Sequence, residues 1–238
     1  MGRGRREPML LASMLALAGT FASPGATSGQ EYVADRHGGP GAAVNVSFLG
    51  ANALGDFGTV VDHGFGLELG GGLPMAADGL LRLRGDFGFL IYGHEQVHYC
   101  DYGCRVGSSV STTNSMIFAG IGPELVFGAG DVQPYLHGSA GASWFVTSSS
   151  YPDGGPSTTN YWDVSFAWRA GGGLRFRMGS PMSPIYLDLG VTHHDNQPVS
   201  YLTEGDIVDN PDGTITMYPN LSDADFLSFK LGVSIAIR

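Results

Sequence analysis

Val164–Met178 reads VSFAWRAGGGLRFRM. Its even positions, Val164, Phe166, Trp168, Ala170, Gly172, Leu174, Phe176 and Met178, carry no charge. Its odd positions set Arg169, Arg175 and Arg177 among Ser165, Ala167, Gly171 and Gly173. Side chains alternate across a strand, so this pattern is a β-strand with one greasy and one polar face. At about 3.3 Å per residue it spans roughly 50 Å, against about 17–20 Å for a usual strand. Tilted by about 45°, such a strand crosses a bilayer.

Working outward, seven more stretches alternate in the same way. Gly41–Gly50 puts Val44, Val46 and Phe48 on one face, and Val61–Leu69 sets Phe65, Leu67 and Leu69 against Gly64, Gly66 and Glu68. Leu80–Tyr92 sets Leu81, Leu83, Phe87, Phe89 and Ile91 against Arg82, Arg84, Asp86 and Gly88. Ser115–Phe127 sets Ile117, Ile121 and Leu125 against Gly120, Gly122 and Glu124. Gln133–Thr147 sets Leu136, Ala140 and Trp144 against His137, Ser139 and Ser143. Ile185–Thr192 and Phe226–Arg238 follow, with Asp188 on the polar face of the first and Ser228 and Lys230 on that of the second. The total is eight strands, an even number.

The connections alternate in length. Gly70–Gly79, Gly128–Val132 and Gly179–Pro184 are short and built from Gly, Pro and Asp, as tight turns require. Ala51–Val60, His94–Asn114, Ser148–Tyr161 and His193–Asp225 lie between them, and three of these four are long and polar. Short turns at one end and long loops at the other mark outer-membrane barrels. The expected fold is all-β: an eight-stranded antiparallel up-and-down transmembrane β-barrel over residues 41–238.

The start of the chain agrees. Met1–Ala22 opens with Arg3, Arg5 and Arg6 and runs apolar from Met9, the pattern of a signal peptide too short to span as a helix. Cleavage after Ala22 or after Ala26 fits the small residues there. Residues 23–40 are rich in Gly, Ser, Pro and charge and read as a flexible periplasmic leader.

Composition narrows the class further. Only 14% of the chain is charged, below the roughly 25% of an ordinary soluble domain, and glycine supplies 38 of 238 residues. The formal net charge of −10 becomes more negative once the three leading arginines are removed, which argues against nucleic acid as a partner. A soluble lipocalin-like barrel would also alternate, but its outer face would be crowded with charge. Here the polar face is mostly Gly, Ser and Ala. That suits a narrow eight-stranded interior, with the greasy face turned to lipid.

The eight segments, the alternating connections and the closing strand Phe226–Arg238 together resemble the small eight-stranded outer-membrane barrels, the group that includes the transmembrane domain of outer-membrane protein A. The resemblance covers Gly41–Arg238 and the signal peptide. It implies the outer membrane of a Gram-negative-type bacterium, with outer-membrane lipid and the barrel-assembly machinery as partners. Family barrels typically end on an aromatic residue, whereas this chain reads Ile235-Ala236-Ile237-Arg238.

The polar-face charges are concentrated. Glu68, Arg82, Arg84, Asp86, Glu124, Arg175, Arg177 and Asp188 all fall towards the periplasmic half, four of each sign. Buried charge persists only when paired, so they are expected to form a salt-bridge network filling the lumen, with Glu124 paired to Arg82 or Arg84. An ion path lined by the same residues is the alternative. Cys100 and Cys104, alone in the outer loop HYCDYGC, are expected to close a disulfide in an oxidising compartment. With His94 and His98 they could instead ligate zinc or copper.

The last outer loop holds Glu204, Asp206, Asp209, Asp212, Asp223 and Asp225, a solvated acidic loop with a faint calcium-loop likeness at Asp209–Gly213. His193 or His194, Ser200 and Glu204 supply the residue types of a rim hydrolase acting on lipid. The leading expectation is a non-enzymatic barrel with a structural or interaction role and its long loops offered to an extracellular ligand. It needs no metal and no cofactor. A narrow pore for small solutes is second and the rim hydrolase third.

Overall fold

The computed structural model describes residues 41–101, 106–151, 157–180, 183–212 and 214–237. Their alternation is realised as twelve strands. Seven come in succession: β1 (Ala42–Ala53), β2 (His63–Pro74), β3 (Leu81–Asp101), β4 (Val106–Val126), β5 (Val132–Ser150), β6 (Thr158–Arg177) and β7 (Ile185–Asn196). Four short ones follow: β8 (Val199–Tyr201), β9 (Ile207–Asp209), β10 (Ile215–Met217) and β11 (Asn220–Ser222). The last is β12 (Phe226–Ile237). The eight long strands form a closed antiparallel barrel in the order β1-β12-β7-β6-β5-β4-β3-β2. Closure is by β12 on β1, in a register that runs from Ala42↔Ile237 to Ala53↔Phe226. Every long strand therefore has two neighbours, and the barrel wall has no free edge.

The greasy face points outward. Leu67 is 56% exposed and the next residue, Glu68, is 4% exposed. Val46, Phe48, Phe87, Ile121, Leu136, Trp168 and Leu231 are likewise exposed, while Asn45, Ser47, Asp188, Ser228 and Lys230 are buried in the lumen. One end carries the three short turns. The turn after β4 depends on Gly128 at φ 82°, a left-handed conformation that a side chain would strain.

The other end departs from expectation. His94–Asn114 is strand over most of its length, and Ser148–Tyr161 over half of it. β3 and β4 stay paired out to Asp101↔Val106, past a register shift at Ile91/Gly93. β5 and β6 stay paired to Ser149↔Thr158, past a shift at Thr147/Ser148. The shifts are β-bulges, where one extra residue re-aims the strand. The extensions of β4, β5 and β6 are built mostly from Ser and Thr, and that of β3 reads His94-Glu95-Gln96-Val97-His98. With polar side chains on both faces, no greasy alternation marks them as strands.

The segment 197–225 is folded as well. β8 pairs with β11 and β9 with β10. Val199, Tyr201, Leu202 and Ala224 are buried, so the segment packs down against the mouth of the barrel.

Candidate functional site

The lumen charges close into a ring. Arg84 on β3 donates through Nη1 to Glu124 Oε2 on β4 at 3.0 Å. Glu124 also accepts both Nη atoms of Arg175 on β6, at 3.0 and 2.7 Å. Arg175 Nε lies 3.5 Å from Asp188 Oδ2 on β7. Asp188 faces Lys230 Nζ on β12 at 3.4 Å, and Lys230 faces Glu68 Oε1 on β2 at 3.6 Å. Arg84 Nη2 donates to that same Glu68 oxygen at 3.0 Å and completes the circuit. Six groups of alternating sign thus span the cross-section, each side chain at most 5% exposed.

β5 contributes Tyr135. Its hydroxyl donates to Asp188 Oδ1 at 2.8 Å, and its ring lies 4.3 Å beneath the Arg175 guanidinium and 5.3 Å from Lys230 Nζ. Room for it comes from the glycine run of β6: a Cβ on Gly173 would fall 2.6 Å from the Tyr135 hydroxyl. Asp86 is bound to Arg84 Nε at 2.6 Å, which gives this tier four acids against three bases. The fourth base stands in the next tier. Arg169 is buried, donates to the carbonyls of Ala119 and Ala142 and to Ser143 Oγ, and lies over the Phe118 ring. Its Nε donates to His194 Nδ1 at 3.2 Å, and His194 bonds Ser228 and stacks on Phe226 at 4.0 Å. The buried lumen is formally neutral, as a low-dielectric interior requires.

Of the eight residues expected in the network, Glu68, Arg84, Asp86, Glu124, Arg175 and Asp188 converge here. Arg82 and Arg177 do not; they sit half-buried at the short-turn rim. Arg82 lies opposite Glu124 in the β3–β4 register, but Glu124 takes its hydrogen bonds from Arg84 and Arg175. Lys230, Tyr135 and Arg169 belong to the lumen and stand outside the expected set. Parity of position along each strand marked Lys230 and Arg169 as inward. Their level in the barrel depends on strand stagger, which single strands do not carry.

Above the charges the lumen turns apolar. Leu49, Leu90, Met116, Phe118, Phe145 and Phe226 are inward and buried, under Phe57, Tyr92 and Tyr201. Phe57 lies edge-on to Tyr201 at 5.0 Å, to Tyr92 at 5.5 Å and to Phe145 at 6.3 Å. Edge-to-face rings of this kind add to the stabilisation from burial. Tyr92 donates to the Leu202 carbonyl and pins the loop segment to the barrel, while Tyr201 bonds Ser222 within the segment.

Of the rim candidates, His194 is turned into the lumen, where it serves Arg169 and Ser228, and the backbone N–H of Ser200 donates to Asp163. Asp206 accepts from Thr203 and Asn220, and Asp212 from Thr214, whose bonds hold the Asp212 carboxyl below its usual range. Asp212 and Asn210 thus shape the β9–β10 turn. His94 Nδ1 is 3.2 Å from Thr113 Oγ1. Among the described residues no three His, Cys, Asp or Glu side chains are grouped to hold a metal ion. Cys104 and the side chain of Cys100 lie outside the described residues, and with them the disulfide.

No protein-family model matches the chain, and no curated protein matches it. Among solved structures it is similar to Neisserial surface protein A, at 16% identity over 84% of this chain and 99% of that one, with a TM-score of 0.48. The attachment invasion locus protein Ail of Yersinia pestis is similar at 14% identity over 84% and 99%, TM-score 0.47. A major outer membrane protein of Thermus thermophilus is similar at 14% over 82% and 99%, TM-score 0.44. At these values the likeness reaches no further than the barrel, whose closure is read directly from its strand pairing.

Proposed function

We propose that this chain is a bacterial outer-membrane barrel with a structural or interaction role, and that its lumen is closed by the ionic ring and the aromatic cluster above it. The observation that carries the reading is the inversion of an ordinary protein: large apolar side chains outside, paired charges inside. In water each such exposed side chain forfeits about 1.5–3 kcal/mol of available burial. In lipid the same belt is at home, and the closed wall leaves no open sheet edge.

In this reading residues 1–22 are a signal peptide and 23–40 a periplasmic leader. The short turns face the periplasm. The paired extensions of β3–β6 and the segment 197–225 face outward, where an extracellular ligand would meet them. Lipid and the barrel-assembly machinery are the partners. The plugged lumen is favoured over a pore because ring members from six strands, with Tyr135 from a seventh, meet across the axis with almost no exposure.

Fractionation tests the proposal. The mature protein should sediment with outer membranes, resist extraction by salt, and migrate differently on a denaturing gel before and after boiling. Recovery as a soluble periplasmic protein would overturn it.

A further inference from the structure

Two arginines stand outside the ring, at the short-turn mouth. A cavity of about 360 Å³ opens there, walled by Gly41, Ala43, Gly79, Gly128, Ala129 and Ala236, residues too small to fill it. Its polar lining is cationic. Arg175 forms the floor, with Arg82 and Arg177 beside it and Gln133, Tyr186 and Ser234 around them. Glu124, the acid opposite Arg82, already accepts three guanidinium N–H groups from Arg84 and Arg175. Arg82 Nε is buried and meets no acceptor among the described residues. Arg177 meets Asp131, an aspartate 82% exposed, at 3.4 Å, and donates to the carbonyls of Ala129 and Gly130. Among the described residues the lining holds one acid, Asp78, which is exposed and caps Leu80 N.

We propose that this mouth is a binding site for a phosphate group. Arginine forks are suited to phosphate oxygens, and charge-assisted bonds of this kind are the strong ones. The donors come from β3, β5, β6, β7 and β12 and approach from several directions, which matches a tetrahedral anion better than a planar carboxylate. The volume admits a small phosphate ester. Because the lining side chains point inward, the barrel wall separates the site from lipid, and the ligand is a soluble phosphate ester of the compartment at that mouth. The site is independent of whether the lumen conducts.

The test uses the full mature barrel refolded in detergent, with inorganic phosphate as the probe, followed by phosphorus NMR and by the unfolding midpoint against chloride at matched ionic strength. Phosphate should bind and raise the midpoint where chloride does not. Arg82→Gln should weaken binding about tenfold, the loss of one charge-assisted contact, with gel heat-modifiability reporting an intact fold. Ala236→Leu, which fills the cavity without touching a charge, should abolish binding and covers the case in which Arg82→Gln fails to fold. Competition by glycerol phosphate in solution would support the soluble source. Competition by micellar phosphatidylglycerol alone would keep the site and overturn that source. Equal effects of phosphate and chloride, or undiminished binding in both variants, would overturn the site.

Discussion

At the short-turn end the lumen is filled by a ring of ion pairs; at the long-loop end it is filled by aromatic rings under a folded segment. The first filling needs nothing from outside the barrel. Each charge finds its partner on another strand, because closure fixes where Arg84, Glu124, Arg175, Asp188, Lys230 and Glu68 stand relative to one another. The second needs a cover. Phe57, Tyr92 and Phe145 would face water at an open mouth, and Val199, Tyr201, Leu202 and Ala224 bring the cover down from the loop between β7 and β12. The difference teaches that one narrow barrel can be filled in two ways. Register-bound electrostatics serve where the wall is complete, and hydrophobic burial serves where a loop is long enough to fold back.

The largest effect should come from unbalancing the ring. Glu124→Gln leaves Arg84 and Arg175 without their shared acid, and breaking a buried pair typically costs about 3–5 kcal/mol. Urea unfolding of the reconstituted barrel should show a clear loss, and Arg84→Ala in that background should restore part of it. A Glu124→Gln barrel as stable as the parent would dissolve the contrast between the two halves. Next in size is the aromatic half. Met116→Ala, in the cluster floor, should cost about 2–3 kcal/mol from lost burial and the cavity left behind. The two substitutions share no partner, so the double variant should be additive within about 0.5 kcal/mol; strong coupling would mean that the fillings are one unit. The smallest effect belongs to the cover. Tyr201→Phe keeps the ring and loses only the bond to Ser222, so about 1 kcal/mol or less is expected by the same measurement.

The two halves also differ in how legible they were. The ionic half stood out in the sequence because charges on a glycine-rich face are conspicuous, and parity alone turned Glu68, Arg84, Asp86, Glu124, Arg175 and Asp188 inward. What parity lacked was height. The stagger that brings Lys230 level with Glu68 and Asp188, and replaces Arg82 by Arg175 as a partner of Glu124, exists only once the barrel is closed. The aromatic half was hidden by the same rule. Leu90, Met116, Phe118 and Phe226 are greasy residues on inward positions, and they obscured the alternation just where the filling changes. The extensions of β3 to β6 are illegible for the reverse reason: with polar residues such as His94, Glu95, Ser111, Thr112 and Ser149 on both sides, strand pairing leaves no hydropathy pattern to read.

Single-channel recording in a planar bilayer tests the closed lumen most directly. The parent barrel, inserted and shown folded by its gel shift, should give a quiet baseline, because the ring and Tyr135 occupy the axis. A steady, large conductance from the unmodified protein would mean that water and ions pass the ring, and the barrel would then be a channel instead of a plug.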